Sequence, residues 1–346
     1  MILTHDEPIL VTGANGFLGS RVVEALLRRG FTTVRCLVRP SGDMAALTQV
    51  IESFPRASVE VRRGNLLSRQ QCREAVRGAS VILHVAAGIE KTFAGCFIGS
   101  VVTTRNLLEA ASLETSLKRF VNVSSLTVYA NAKCRRRDEI DENGTLETAF
   151  MQRYDAYCFG KTKQDELVIE YCNSRQLPYV IVRPGPLYGP GARSAIHSRV
   201  GTGTFGIFLH IGGANRLPLC YVDNCADAVV VAGVTEGIAG EAFNVVDDNS
   251  PTSREFLRLY KQNVKRFRSV YVPYHLFYLF CCFWERYARW SRNQLPPVFN
   301  TLKCAAEWKG NPVSNRKLKA LTAWTPPVST EEGLARHFAY FRGLHA

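Results

Sequence analysis

The stretch Ile9-Leu-Val-Thr-Gly-Ala-Asn-Gly-Phe-Leu-Gly19 decides the fold. Its first four residues are a short apolar run of the kind a buried strand needs. Gly13, Gly16 and Gly19 then open a turn, after which Val22, Val23, Leu26 and Leu27 recur at helical spacing and Gly30 marks a stop. Val34–Val38 reads as a second buried strand. Strand, glycine turn, helix and strand within about 30 residues form the opening unit of a dinucleotide-binding fold. In such a unit Gly13 permits the tight turn, Gly16 lets the backbone approach a pyrophosphate, and Gly19 lets the helix pack closely on the strand. The helix N-terminus adds free N–H groups and a positive dipole end. Asn15, Phe17 and Leu18 lie in the same turn and count with the glycines as cofactor-binding.

Further β-type runs follow at 59–62, 81–85, 120–123 and 179–182, with helical patterns between them at 101–111 and 161–172. Strands alternating with helices at this pitch predict an α/β, Rossmann-type doubly wound parallel sheet. From about Pro184 the pattern turns irregular and glycine-rich, and 223–233 reads as a helix that returns to the first unit. The expected division is a nucleotide-binding domain over 1–184 with a returning segment near 217–236. A smaller C-terminal substrate-binding cap, partly interleaved, takes 185–346.

With 46% apolar and 21% charged residues, the 346-residue chain can bury a sizeable core, which excludes whole-chain disorder or coiled coil. Lys and Arg number 43 against 30 Asp and Glu, a formal charge of +13. An anionic ligand or an acidic membrane surface accounts for that better than nucleic acid, since no zinc-finger spacing, aromatic RNP-like run or long basic arm is present. The 11 cysteines contain no Cys-x-x-Cys pair and sit mostly in apolar stretches, which reads as reduced packing cysteine, with no metal site. Met1–Glu7 is too acidic for a signal peptide, so a cytoplasmic location is expected. Residues 269–284 carry no charged side chain, and Arg286, Arg289 and Arg292 follow. The segment is short for a membrane span. It reads either as a helix that packs on the cap or lines a pocket, the preferred reading, or as a membrane-surface helix giving peripheral contact through 269–292.

The end of the second strand bears on the cofactor. An acid there would bond the ribose 2′-hydroxyl of NAD. Here the strand runs Val34-Arg-Cys-Leu-Val-Arg39, and Arg39, with Arg35 as a second candidate, suits the 2′-phosphate of NADP. NADP is therefore expected, with NAD the alternative. Tyr157-Cys-Phe-Gly-Lys161 puts a phenol and an ammonium on one helix face. A nearby cation lowers a phenol's pKa, making a proton donor and acceptor for a carbonyl/alcohol pair. Ser124 and Ser125 end the strand 120–123. Ser125 is assigned to the substrate oxygen and Ser124 to backbone capping, and Tyr154 is a rival phenol without a lysine four residues on.

Together these residues resemble an extended short-chain dehydrogenase/reductase. The matching stretches include Thr12–Gly19, His84-Val-Ala-Ala87, Thr104–Ala110, Val123–Tyr129, Tyr157-x-x-x-Lys161, Arg183-Pro-Gly-Pro-Leu-Tyr-Gly-Pro190 and Tyr221–Ala228, and they cover nearly the whole chain. The resemblance implies that Ser125 orients a substrate carbonyl, Tyr157 transfers the proton, and Lys161 bonds the nicotinamide ribose and tunes Tyr157. It also implies that Ala86 and Ala87 line the cofactor ribose, that Pro184 begins the loop beside the nicotinamide amide, and that two copies pair through helices 101–111 and 161–172 as a homodimer. Two positions depart from the family pattern. Gly64-Asn65-Leu66 stands where an aspartate is usual, so an amide would meet the adenine, and Ser100 replaces an asparagine that positions a helix. The implied substrate is a small molecule. One reading is an apolar ketone or alcohol, as in the 3β-hydroxysteroid dehydrogenase-like and dihydroflavonol reductase-like branch. The alternative is a nucleotide sugar handled by an epimerase or dehydratase with bound NAD. The +13 charge favours the second, whereas Gly185-Pro186, standing where many such enzymes have an asparagine, speaks against it. The complete Ser125, Tyr157 and Lys161 set argues against a non-catalytic binding protein.

Overall fold

The computed structural model describes residues 1–204, 206–292, 294–295 and 298–344, which include every candidate site residue. In chain order the strands are β1 (Ile9–Thr12), β2 (Thr33–Val38), β3 (Ser58–Arg63), β4 (Val81–His84), β5 (Arg119–Val123), β6 (Tyr179–Pro184), β7 (Leu187–Tyr188), β8 (Gly201–Thr204), β9 (Ile207–His210), β10 (Cys220–Tyr221), β11 (Ala242–Val245) and β12 (Ser269–Tyr271). The α-helices are α1 (Phe17–Arg28), α2 (Ala45–Glu52), α3 (Arg69–Val76), α4 (Phe93–Cys96), α5 (Thr103–Ala111), α6 (Phe150–Arg153), α7 (Ala156–Arg175), α8 (Val222–Val234), α9 (Ser253–Asn263), α10 (Tyr274–Trp290), α11 (Thr301–Trp308), α12 (Arg316–Thr322) and α13 (Thr330–Gly343).

Seven strands make one sheet in the order β11-β6-β5-β4-β1-β2-β3, with every neighbouring pair parallel. Parallel strands covered on both faces must be apolar almost throughout, and β1, β4, β5 and β6 are buried along their whole length. Alternate residues serve opposite faces. Ile9, Val11, Val34, Val81 and Val121 meet α1 and α8, while Leu10, Leu37, Ile82, Phe120 and Ile181 meet α3, α5 and α7. Each fully buried Val, Leu or Phe contributes about 1.5–3 kcal/mol. The strand order reverses between β1 and β4, and the crevice beyond the carboxyl ends at such a point is where ligands of these sheets bind.

The returning segment runs further than 217–236. After α8 the chain adds β11, whose Ala242 to Val245 pair with Ile181 to Pro184 of β6. A four-residue strand with Asn244 inside it gives no clear periodic signal. The cap comprises the β7–β10 pair, a three-stranded sheet in the order β12-β9-β8, and α9 to α11. Phe256, Leu257 and Tyr260 of α9 pack with Leu334 and Phe338 of α13. Among the described residues no helix is long and apolar enough to cross a membrane.

Candidate active site

At the carboxyl end of β1 the glycine turn is built for close approach. Gly13 has φ +68°, and a Cβ there would stand 2.9 Å from the Ala86 Cα. A Cβ on Gly19 would stand 2.0 Å from the Gly13 carbonyl oxygen. Gly16 caps α1 with no side-chain hydrogen bond, and the first turn holds no acid. The first N–H groups of a 12-residue helix therefore face the crevice with no side chain covering them. These features fit a pyrophosphate. Phe17 and Leu18 start α1, Phe17 lying beside Gly191 and Leu18 in the core.

Ser125, Tyr157 and Lys161 meet at the carboxyl edge. β5 ends at Val123, and the Ser124 N–H still donates to Val182 O at 2.7 Å. The chain then turns sharply. Ser125, rather than Ser124, is the capping serine, since its Oγ accepts from Thr127 N at 3.2 Å at the start of the 3₁₀ turn Leu126–Val128. The same hydroxyl lies close enough to the Tyr157 phenol to pull its pKa down. Tyr157 sits in the first turn of α7, which Asp155 caps by accepting from Cys158 N at 2.8 Å. Arg153 fixes the two turns against each other: it pairs with Asp155 at 3.0 Å and donates to Thr127 O and Oγ1 at 3.2 and 3.1 Å. Its role gave no sequence signal beyond proximity to Tyr157. Tyr154, the rival phenol, is 48% exposed.

The phenol and ammonium do not interact as their spacing predicts. Lys161 is 1% exposed, and its Nζ donates to Val123 O at 2.7 Å and Gln164 Oε1 at 2.8 Å. Burial draws its pKa down to about 8, with the Asp165 carboxylate opposing. Burial pushes the Tyr157 phenol up to about 12, with the Ser125 hydroxyl pulling the other way. Behind Lys161 runs a buried polar chain that the sequence reading missed. Gln164 Nε2 donates to Thr104 Oγ1 at 2.7 Å. His84 bridges Thr104 and Thr12 at 2.8 Å each, and Thr12 Oγ1 accepts from Ala86 N at 3.3 Å. Burial, then the field of Lys161, holds His84 down to about 3, so it is neutral. The chain thus joins the glycine turn to Lys161 across the sheet. A polar residue at each of these apolar-strand or helix positions was the available signal.

Ala86 abuts Gly13, and Ala87 is exposed just beyond it. The β4–α4 loop is held by Ser100, whose Oγ accepts from Gly88 N at 3.2 Å. The serine thus fills a positioning role despite its departure from the family pattern. It lies in a π-helical turn, Phe97–Val102, where Gly99 meets Gly88 backbone to backbone. Pro184 ends β6 and is buried. The next residue, Gly185, could carry no side chain, since a Cβ would stand 1.9 Å from Pro218 O.

At the far end of the crevice Arg39 is exposed just past β2. Its loop is pinned from two sides, by Asn15 Nδ2 donating to Asp43 O at 2.8 Å and by Arg63 donating to Pro40 O at 2.7 Å. Asp43 uses a carboxylate oxygen to accept from Ala45 N at 3.0 Å. Arg35 is removed as a candidate: it pairs with Glu60 at 2.7 Å and donates to Ala75 O and Arg77 O at 2.8 Å each. Asn65 folds its Oδ1 back onto Leu67 N at 2.9 Å, and Asn106 holds the Leu66 carbonyl at 2.9 Å.

A seven-stranded parallel sheet with a glycine turn at its switch point defines a Rossmann-type α/β protein, the fold on which dinucleotides bind. The chain belongs to the NAD dependent epimerase/dehydratase family, whose model matches residues 9–245. It is 26% identical over 213 residues to cinnamoyl-CoA reductase 2 of Medicago truncatula, a match covering 61% of this chain and 62% of the reductase. The chain thus spans about three fifths of that relative's length. It is 28% identical over 252 residues to 4-hydroxy-2-methyl-3-oxo-4-farnesyl-3,4-dihydroquinoline-1-oxide ketoreductase of Stigmatella aurantiaca, covering 72% of this chain and 71% of that enzyme. Among solved structures, UDP-glucuronic acid 4-epimerase of Bacillus cereus in complex with NAD aligns with a TM-score of 0.72 at 20% identity, covering 98% of this chain and 100% of the epimerase. At that identity the likeness is one of fold.

Proposed function

We propose that the chain is an NAD(P)-dependent oxidoreductase that interconverts a ketone and a secondary alcohol, with Tyr157 moving the proton. The observation that carries this reading is the approach of the Ser125 hydroxyl to the Tyr157 phenol, close enough to pull the phenol's pKa down against its burial, beside a glycine turn that fits a pyrophosphate. When bound, the nicotinamide nucleotide supplies or accepts a hydride. Gly13 to Gly19 would hold its diphosphate, Ala86, Ala87 and Lys161 its nicotinamide ribose, and Asn65 and Leu66 its adenine, with Pro184 beside the amide. The substrate oxygen would accept hydrogen bonds from Ser125 and Tyr157, which orient the carbonyl and exclude water from it. A phenol held near 12 carries its proton at neutral pH, so Tyr157 is set to donate, the direction from ketone to alcohol. Arg39, with Arg63 next to it, supports NADP over NAD, because two guanidinium groups and no strand-end acid border the ribose position.

Two features favour an apolar substrate over a nucleotide sugar. Gly185 has no room for the side chain that grips a sugar diphosphate in many epimerases. The helix that carries Tyr157 also carries Phe159, around which the Phe93, Phe97 and Phe150 rings gather at 5.5, 6.2 and 5.5 Å. We also propose a division into 1–184 with the return of α8 and β11, and a cap over the remainder. A homodimer pairing through α5 and α7 belongs to the same proposal. So does a reducing, cytoplasmic setting, supported by 11 free cysteines, nine of them buried. The test is NADPH oxidation with a panel of apolar ketones. Net consumption is expected, and tight co-purifying NAD without net turnover would reverse the choice between the two readings. In Tyr157→Phe turnover should fall about 10²–10⁴-fold with cofactor affinity retained. A variant that kept most of its rate would remove Tyr157 from the reaction.

A further inference from the structure

The aromatic helix α10 has two unlike faces. Phe277, Cys281 and Ala288 are buried, and the first two pack with Ile211, Cys304 and Trp308 of the cap. On the other side Leu276, Leu279, Phe283, Tyr287 and Trp290 succeed one another at three- and four-residue steps and are all exposed, Trp290 to 78%. The helix's one acid, Glu285, is turned inward, accepting from Thr301 N at 2.6 Å and Thr301 Oγ1 at 2.9 Å. An unbroken apolar stripe on a protein surface marks a contact with something else.

Cations surround the stripe. Arg286, Arg289 and Arg292 are exposed at its C-terminal end. At its start the Arg136 guanidinium lies 5.8 Å over the Tyr274 ring. β12, which leads into α10, exposes Val270 and Tyr271 and adjoins a groove of about 440 Å³ holding Arg254, Arg258, Lys261 and Arg266 and no acid. Arg254 stacks 5.4 Å from the Tyr271 ring, and Lys261 Nζ donates to Ser269 Oγ at 2.6 Å. Among the described residues none of these four cations has a carboxylate within ion-pair distance.

We propose that α10 and the α9–β12 groove form one docking face for an anionic bilayer surface. The apolar stripe would lie at the boundary of headgroups and acyl chains, and the cations would meet lipid phosphates. A second copy docked by the same face would bring two uncompensated basic sets together, which like-charge repulsion opposes. An anionic bilayer supplies both the apolar depth and the opposite charge. The 17-residue helix, about 25 Å long at 1.5 Å per residue, lies along such a surface and does not cross it. This docking is independent of the reaction assigned above.

The full chain is mixed with phosphatidylcholine vesicles, with and without phosphatidylglycerol, and floated on a density gradient. Flotation is expected with the anionic vesicles only, with release near 1 M salt, where the screening length falls to about 3 Å. Lipids brominated on their acyl chains should quench Trp290, the exposed one of the two tryptophans of α10, but spare the buried Trp308 and Trp324. The pair Leu279→Asp with Phe283→Asp, and the pair Arg254→Glu with Arg258→Glu, should each cut the bound fraction at least about tenfold. All four sites are exposed, and a retained melting temperature keeps the variants comparable. Absence of flotation on anionic vesicles overturns the proposal. So does binding that neither pair alters, or a dimer that the α10 pair dissociates with no vesicle binding in the parent.

Discussion

Tyr157 and Lys161 are titrated in opposite senses by the same burial, the phenol up to about 12 and the ammonium down to about 8. The alkaline side of a reduction profile should therefore report Lys161 and not Tyr157. Gln164 accepts from that ammonium, so Gln164→Leu should move the alkaline limb of kcat to lower pH by up to about one unit. Gln164→Glu, which adds charge, should move it higher. A limb that stays put in both variants would reduce Gln164 to packing. At the other end of the crevice Arg39→Asp should shift preference from NADPH towards NADH, read as the ratio of kcat/KM values. An unchanged ratio would clear Arg39 of the 2′-phosphate. Tyr157 and Lys161 could be picked out as candidates from local spacing because Tyr and Lys four apart share a helix face. Which partner Lys161 chooses could not, since it depends on the Val123 carbonyl at the end of β5 lying in reach of α7. The capping role went to Ser124 in the sequence and to Ser125 in the fold, because the two differ only in where β5 stops.

At the scale of elements, strong periodicity was legible and short or irregular pieces were not. α1 announced itself through Val22, Val23, Leu26 and Leu27, all buried, and β1 through an apolar run opening on glycine. The π-helical turn at 97–102 has no periodic signature, yet it brings Gly99 onto Gly88 and places Ser100 under the β4–α4 loop. A methyl on either glycine meets the other's Cα at 2.8 Å. Gly99→Ala should therefore lose about 1–3 kcal/mol of stability and weaken cofactor binding. Gly203→Ala, with nothing within 4 Å of the added methyl, should stay within about 0.5 kcal/mol. Denaturant midpoints of the two variants provide the comparison, and equal midpoints would dismiss the contact between the turn and the loop. The sequence offered two readings of α10, packing or surface. The structure shows one face of it packed: Phe277, Cys281 and Ala288 are its buried residues.

Across the whole molecule, acid is the expected weakness. His84 is neutral in the fold, with its pKa near 3, whereas the unfolded chain binds that proton near 6.5. From pH 6.5 downward the unfolded state thus takes up a proton that the folded state refuses, and stability falls until about pH 3. His84→Gln should lower the slope of unfolding free energy against pH by about 1.4 kcal/mol per unit between pH 6 and 4. An unchanged slope would mean that His84 is charged in the fold. The parallel architecture was legible from the alternation of strands and helices. The exact path of the chain was not, because β11 is four residues long and follows α8 from beyond the cap's first strands. That path has a price for anyone who would take the protein apart. A fragment cut at 184 would leave the peptide groups of Ile181 to Pro184 as a raw, unmated border, inviting other copies to stick there. The two lobes are laced by one thread and stand or fall as a single article of clothing.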